Sequence, residues 1–418
     1  MSLNTQVGTF VLNSVTGNQS ITGLGFTPKI ILLFYNNETG NTINPSIQGG
    51  HGVALSSSDR RCVGFSQPNN NVPTGGANTL AGHYNDRCIR YCRLNGDTAS
   101  VREADFVSMD ADGFTINILT TDGTQSWISY LAIGGTDLTN VKTGQFVQNT
   151  GTGDQAITGV GFQPDCLLFI RGRFTTSAPS STANSNLRPA WGFAKSASSR
   201  GVSITNASGG ASSFASKVYQ RTTKFISAIK NDSSAIDSEA DLKTMDSDGF
   251  TITWSTAATA GYVFYVAFKG CNFAISSFNQ NTSNGNQSIS GFGFQPNAVI
   301  LVSDNQTTSS SIQANLRQSI GFATDSTHRA CAWYGQTDGS ALSVNDESLD
   351  TANVLEMITE GVIPTTNTVA DFVSNDSDGI TINNTTTDGT AREILLLAFG
   401  QIGGATPIKT LPLLGAGL

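Results

Sequence analysis

One passage is written three times in this chain, and its spacing limits the folds open to it. The segment from Gly17 to Pro28 returns from Gly153 to Pro164 and again from Gly285 to Pro296, each ending Gly-Phe-x-Pro. A second marker, Asp-x-Asp-Gly, follows at Asp110 to Gly113, Asp246 to Gly249 and Asp376 to Gly379. Phe26 lies 136 positions before Phe162, and Gly113 lies 136 before Gly249; the next intervals are 132 and 130. A period of this length gives whole domains, whereas solenoid units repeat every 20 to 50 residues. The boundaries fall where a closing apolar strand meets the next opening strand. They give repeat 1 over 1–139, repeat 2 over 140–270, repeat 3 over 271–402, and an extended arm over 403–418. The junctions hold no long Pro-rich or Gly/Ser-rich tether, so the three repeats are expected to pack as one stiff body.

The fold class expected is all-β, as three tandem jelly-roll-like β-sandwich domains. Charged residues are only 13%, glycines number 44, and Ser, Thr and Asn separate short apolar runs, a pattern of strands and turns. Each copy has a core strand after the proline (Lys29 to Phe34, Asp165 to Ile170, Asn297 to Val302). Each also closes with an apolar run (Trp127 to Gly134, Tyr262 to Phe268, Ile394 to Gly400), which reads as a central strand of a two-layer sheet. No apolar run of membrane-spanning length occurs, and the first residues lack the basic and apolar regions of a signal peptide. The expectation is a soluble chain made in the cytosol, without membrane insertion.

No constellation for catalysis, cofactor or metal is expected. The three histidines, His51, His83 and His328, accompany no repeated nucleophile, and His328 beside Asp325 reads as a surface hydrogen-bonded pair. Asp-x-Asp-Gly lacks the third alternating ligand and the later Glu of an EF-hand, so it reads as a hairpin turn whose aspartates bind local amides. The aspartates also sit too close together to straddle a sugar as glycosidase carboxylates must. Cys88 and Cys92 form the one close cysteine pair, with no second pair to complete a zinc site. Reduced thiols are the default for all six cysteines.

Partner contacts are expected from three features. Net charge is −3 for repeat 1, +4 for repeat 2 and −9 for residues 271–418, repeat 3 with the arm, which can steer repeat 2 toward repeat 3, between chains or within one. The middles of the copies diverge, and divergent loops on a held scaffold carry recognition. The arm is apolar yet broken by Gly and Pro, so Leu411, Leu413, Leu414 and Leu418 are candidates for docking on a partner. Trp191, Trp333 and Tyr334 are candidates for stacking against a glycan, with core packing as the competing role. No basic stripe with interleaved aromatics suggests nucleic acid.

The runs Gly161-Phe162-Gln163-Pro164-Asp165, Asp246-Ser247-Asp248-Gly249-Phe250-Thr251-Ile252 and Tyr262 to Gly270 resemble repeated β-domains in virion proteins of tailed bacteriophages, of tail-fibre, tail or capsid-decoration type. The resemblance covers all three copies, is best in repeat 2, and implies a structural role with no catalytic residues. The chain departs from trimeric fibres in lacking a coiled-coil or repetitive shaft. The expected function is therefore a non-enzymatic virion structural protein on the particle exterior, as capsid decoration or at the neck or tail. It would assemble with other virion proteins or with copies of itself in an oligomer or symmetric array. The alternative is an adhesin for host attachment that recognises cell-surface glycan through variable loops; the third reading is a glycan-cleaving enzyme.

Overall fold

A computed structural model describes residues 2–70, 79–94, 100–172, 186–209, 214–230, 234–307, 311–359 and 365–403. Among them every regular element is a β-strand and every pairing is antiparallel. Repeat 1 contributes ten strands: β1 Asn4–Val11, β2 Gly17–Thr22, β3 Pro28–Tyr35, β4 Ser46–Ser56, β5 Asp59–Pro68, β6 Leu80–Tyr84, β7 Ile89–Cys92, β8 Ser100–Asp110, β9 Gly113–Thr120 and β10 Trp127–Gly134. They form a large sheet ordered β1-β10-β3-β4-β5-β6 and a small one ordered β2-β9-β8-β7. Repeats 2 and 3 repeat this arrangement, and the outer strand Phe214–Arg221 of repeat 2 also pairs with Gln313–Ala314 of repeat 3. The connectivity departs from the jelly roll expected. Four successive strands, β3 to β6, stay in the large sheet and three, β7 to β9, in the small one, so hairpins form within a layer instead of alternating between layers.

The core strands explain how the repeats come together. In β3 the side chains of Ile31 and Leu33 join Phe106, Phe114, Ile116 and Tyr130 between the two sheets of repeat 1. Ile30, Leu32 and Phe34, on the opposite face, enter a second core built from all three repeats. Cys166, Leu168 and Ile170 do the same for repeat 2, and Ala298, Ile300 and Val302 for repeat 3. The large sheets are thus buried on both faces, which is what an uninterrupted apolar run requires. Each fully buried side chain of this size contributes roughly 1.5–3 kcal/mol.

The shared core sits on a pseudo-threefold axis. His51, Trp191 and Ile320 hold the same place in their sheets, opposite Phe34, Ile170 and Val302. His51 meets Trp191 edge-on, with ring centroids 5.1 Å apart, and Trp191 meets Phe322 at 6.3 Å. Seams between repeats run cyclically and close. Asp59 accepts the Thr143 amide of repeat 2 at 3.3 Å, Ser199 donates to the Ile275 carbonyl of repeat 3 at 3.3 Å, and Thr324 accepts the Val7 amide of repeat 1 at 3.4 Å. Thr143, Ile275 and Val7 are equivalent positions of the three opening strands.

The body has two unlike ends. At one, Asp137 N donates to Ser2 O, Thr139 N to Lys269 O, and Ile402 N to Asp137 Oδ2, each at 2.9 Å, so the chain start, both junctions and the last described residues gather there. At the other, Val11 pairs with Trp127, Tyr35 with Ile128 and Ser46 with Pro68. From that end the divergent middles leave the sheets. One seam within the chain carries an ion pair: Lys217 of repeat 2 pairs with Asp338 of repeat 3 at 2.5 Å.

Candidate functional site

The repeated markers form one device. Asp112 accepts the amides of Gly23 and Gly25 at 3.0 and 2.6 Å; Asp248 accepts those of Gly159 and Gly161 at 3.1 and 2.5 Å; Asp378 accepts those of Gly291 and Gly293 at 3.2 and 2.6 Å. These glycines have φ between +72° and +94°, a region that costs other residues energy. The two amides hold the Asp248 carboxyl below its ordinary value. The first aspartate of each motif accepts hydroxyls instead, Thr115 to Asp110, Thr251 to Asp246 and Thr381 to Asp376, all at 2.7 Å. A turn with local amides was the expectation. The second aspartate instead reaches a glycine turn more than 80 residues away in sequence, stapling the small sheet to the entry of the core strand.

Two further repeated groups escaped the sequence reading. Gln19, Gln155 and Gln287 each donate at 2.7 Å to a carbonyl near the end of the opening strand, at Val11, Val147 and Asn279. Arg60, Arg200 and Arg329 are equivalent and bridge the two sheets to Asp105, Asp241 and Asp371; the first two pairs span 2.6 and 2.8 Å. The signal was available as an arginine opening the second hairpin strand and an aspartate five residues before each Asp-x-Asp-Gly. Cys62 and Cys331 are likewise equivalent, a correspondence hidden by the divergent middles.

The proposed stacking residues require correction. Trp191, Trp333 and Tyr334 are 0, 2 and 5% exposed, so none offers a ring face to a sugar. Trp191 fills the pseudo-threefold axis, and Tyr334 packs on Phe65 at 5.1 Å and donates to Gln318. Leu411, Leu413, Leu414 and Leu418 lie outside the described residues. All six cysteines are buried and unpaired; burial pushes the Cys92 thiol up to about 11 and Cys88 higher. Among the described residues no group of three or more His, Cys, Asp or Glu side chains is arranged to hold a metal ion.

Ionisable groups gather instead at the seams. Asp304 of repeat 3 accepts the Ser203 hydroxyl of repeat 2, and burial raises its carboxyl to about 7. Glu347 of repeat 3 accepts the Gln48 and Asn37 amides of repeat 1 at 2.9 and 3.2 Å, and burial holds its carboxyl well above the usual range. His51, at the axis, is pushed down to about 3 by burial and stays neutral. His328 is different. It is exposed, its Nδ1 lies 2.8 Å from Asp325 Oδ2, and it borders an open groove of about 360 Å³ between repeats 3 and 1, with Trp127, Phe10, Arg329 and Thr351.

No family model and no curated protein matches this sequence. Among solved structures, OmpT, an outer membrane protein of Vibrio cholerae, aligns over 95% of this chain and 97% of its own at 10% identity. The TM-score of that alignment is 0.07, so the likeness carries no argument about fold or role.

Proposed function

We propose that this chain is a non-enzymatic structural protein on the exterior of a tailed-bacteriophage particle, as a capsid decoration or a neck- or tail-associated body. The observation that carries the reading is the fate of the repeated polar residues. Each repeated aspartate, glutamine and arginine is engaged in holding turns and sheets of the chain itself, which serves shape. The repeat resemblance to virion proteins supplies the class. A single chain with three equivalent faces suits a threefold position on a symmetric particle, where a homotrimer would otherwise sit.

The arm over 403–418 departs from the end where the junctions gather, beside Asp137. In this reading that end faces the particle, with Leu411, Leu413, Leu414 and Leu418 docking on a neighbouring virion protein, and the divergent end faces outward. Mass spectrometry and cryo-electron microscopy of purified particles test it. The chain should be present at a stoichiometry fixed by particle symmetry, with the junction end inward; its absence from washed particles would refute the assignment. Removing residues 404–418 should leave the folded body intact and lower its occupancy on particles.

A further inference from the structure

The three seams act as controls for one another, and the seam between repeats 3 and 1 differs from the other two. Between repeats 1 and 2, Arg61 crosses to Thr143 and Gln145 and lies over the Phe264 ring. The strand registers place Gly201 and Ala330 where repeat 1 has Arg61, and Leu395 and Ser129 where repeat 2 has Phe264. Between repeats 2 and 3, Leu395 closes on Gly201 so tightly that an added Cβ would lie 2.9 Å from Leu395 Cδ2. Between repeats 3 and 1 the two positions hold Ala330 and Ser129, neither long enough to cross. An open groove of about 360 Å³ runs along that seam, past Val7, Thr9, Val11, Trp127, His328 and Thr351.

The walls of this groove are held in place. Asp325 accepts the amides of Thr327 and His328 at 2.7 and 2.9 Å, which fixes the hairpin turn of one wall. Arg329 donates to the Ala352 carbonyl at 2.6 Å, and the Thr351 amide donates to Asn41 Oδ1 of repeat 1 at 3.3 Å, which ties the other wall across the seam. The floor is β1, an edge strand of the large sheet. The Leu12 amide donates to Ser126 O on the inner side, toward β10, whereas the Val7 amide donates to Thr324 across the seam. Odd-numbered residues of β1 therefore turn their backbone groups outward, and the amide and carbonyl of Thr9 face the groove.

Apolar and polar groups divide the lining. Trp191, Trp254 and Trp333 are fully buried, whereas Trp127 is half-buried and is paired across the strands with the exposed Val11. Trp127 is thus the one tryptophan whose ring can meet a ligand. On the polar side stand the Thr9 backbone, the Thr351 hydroxyl and His328, whose Nδ1 lies 2.8 Å from Asp325 Oδ2. A neutral imidazole held in that way keeps its proton on Nδ1 and leaves Nε2 to accept. A wholly apolar ligand would strip water from these groups and return no hydrogen bond. The charges at the wall are already engaged, Arg329 with Asp371 and Asp325 with its own turn, which argues against an ionic ligand.

We propose that the groove between repeats 3 and 1 binds a neutral sugar ring, stacked by its C–H face on Trp127 and Val11 and bonded through its hydroxyls to the Thr9 backbone, His328 Nε2 and Thr351. Such a ring matches the lining because one face is apolar while its rim both donates and accepts. The volume lies at the small end of the range for small-molecule sites, about 300–1,000 Å³. The site goes beyond the particle-assembly reading and does not depend on it, since a decoration protein and a free-standing one would present the same groove.

Saturation-transfer NMR titrations on the full chain test the site. The neutral probes are D-glucose, D-galactose, D-mannose and N-acetyl-D-glucosamine; D-glucuronate is the anionic probe and L-arginine amide the cationic one, a mimic of Arg61. At least one neutral sugar should receive saturation and should shield Trp127 from acrylamide quenching. Trp127→Ala should abolish the transfer. His328→Ala, at an exposed position that leaves the fold intact, should weaken affinity about three- to tenfold, the equivalent of one lost hydrogen bond. Absence of transfer to every neutral sugar, affinity unchanged in the His328 variant, or transfer to the charged probes alone would overturn the proposal.

Discussion

The seam between repeats 1 and 2 and the seam between repeats 3 and 1 hold equivalent surfaces together in different ways. The first is covalently tethered, and side chains hold it: Asp59 accepts from Thr143, while Arg61 donates to Thr143 and Gln145 at 3.1 and 3.2 Å and lies 5.4 Å over the Phe264 ring. The second must close the ring with no junction. There the backbone takes part: Asn44 and Glu347 exchange both amide-carbonyl bonds at 2.9 and 3.0 Å, and Asn70 N donates to Ser343 O at 2.8 Å. Where Asp59 tightens the first seam, His328 stands at the second, and the groove beside Trp127 opens. A tether raises the effective concentration of its two surfaces, which lets side chains alone hold the first seam, although the tethered seam between repeats 2 and 3 also pairs backbone, through Lys217 with Ala314 and Val218 with Gln313.

The largest effect should come from the tryptophan at the axis, which meets His51 of repeat 1 and Phe322 of repeat 3. Trp191→Ala removes the side chain at the axis and should cost about 3–5 kcal/mol in denaturant unfolding. A loss near that of an ordinary surface change would mean that the axis is not packed. Next comes Glu347→Ala, which strands the buried Gln48 amide and the half-buried Asn37 amide and should cost about 1–3 kcal/mol. Asp59→Ala should cost less, about 0.5–1.5 kcal/mol. Hydrogen exchange at Gln48 should accelerate only in the Glu347 variant; equal or reversed costs would break the contrast between seams.

The third prediction concerns pH at the seam between repeats 2 and 3. Burial raises the Asp304 carboxyl to about 7, so the folded chain binds that proton more tightly than the unfolded chain. The stabilisation it brings is complete below about pH 4 and is lost as pH rises through 7. Relative to Asp304→Asn, the unaltered protein should therefore lose thermal stability between pH 4 and 7.5; parallel pH profiles would contradict the burial of that carboxyl. The smallest effect should come from Asp112→Ala at an exposed clamp, under about 1 kcal/mol by thermal unfolding.

Much of the architecture was legible in the sequence. The repeated passages marked the glycine-rich turns and the Asp-x-Asp-Gly hairpins, because those positions need backbone angles or hydrogen bonds that few residues supply. What the sequence left unread was the ring. Lys29 to Phe34 reads as the core strand of a β-sandwich, yet a strand with one face in water would alternate. The absence of a polar residue at Ile30, Leu32 and Phe34 was the sign of a second core. The stacking candidates failed for the same reason, since Trp191 and Tyr334 belong to faces that only the neighbouring repeats cover. The arginines buried at the divergent end were not legible, because the three repeats supply them from three different positions, Arg102, Arg171 and Arg392. Seeing this requires a register across the divergent middles.

Small-angle X-ray scattering of the full chain in solution tests the closed ring most directly. Packing around one axis predicts a radius of gyration of about 22 Å for a compact body of this length. Three such domains strung end to end would exceed roughly 30 Å, and a value in that range would contradict the closed arrangement.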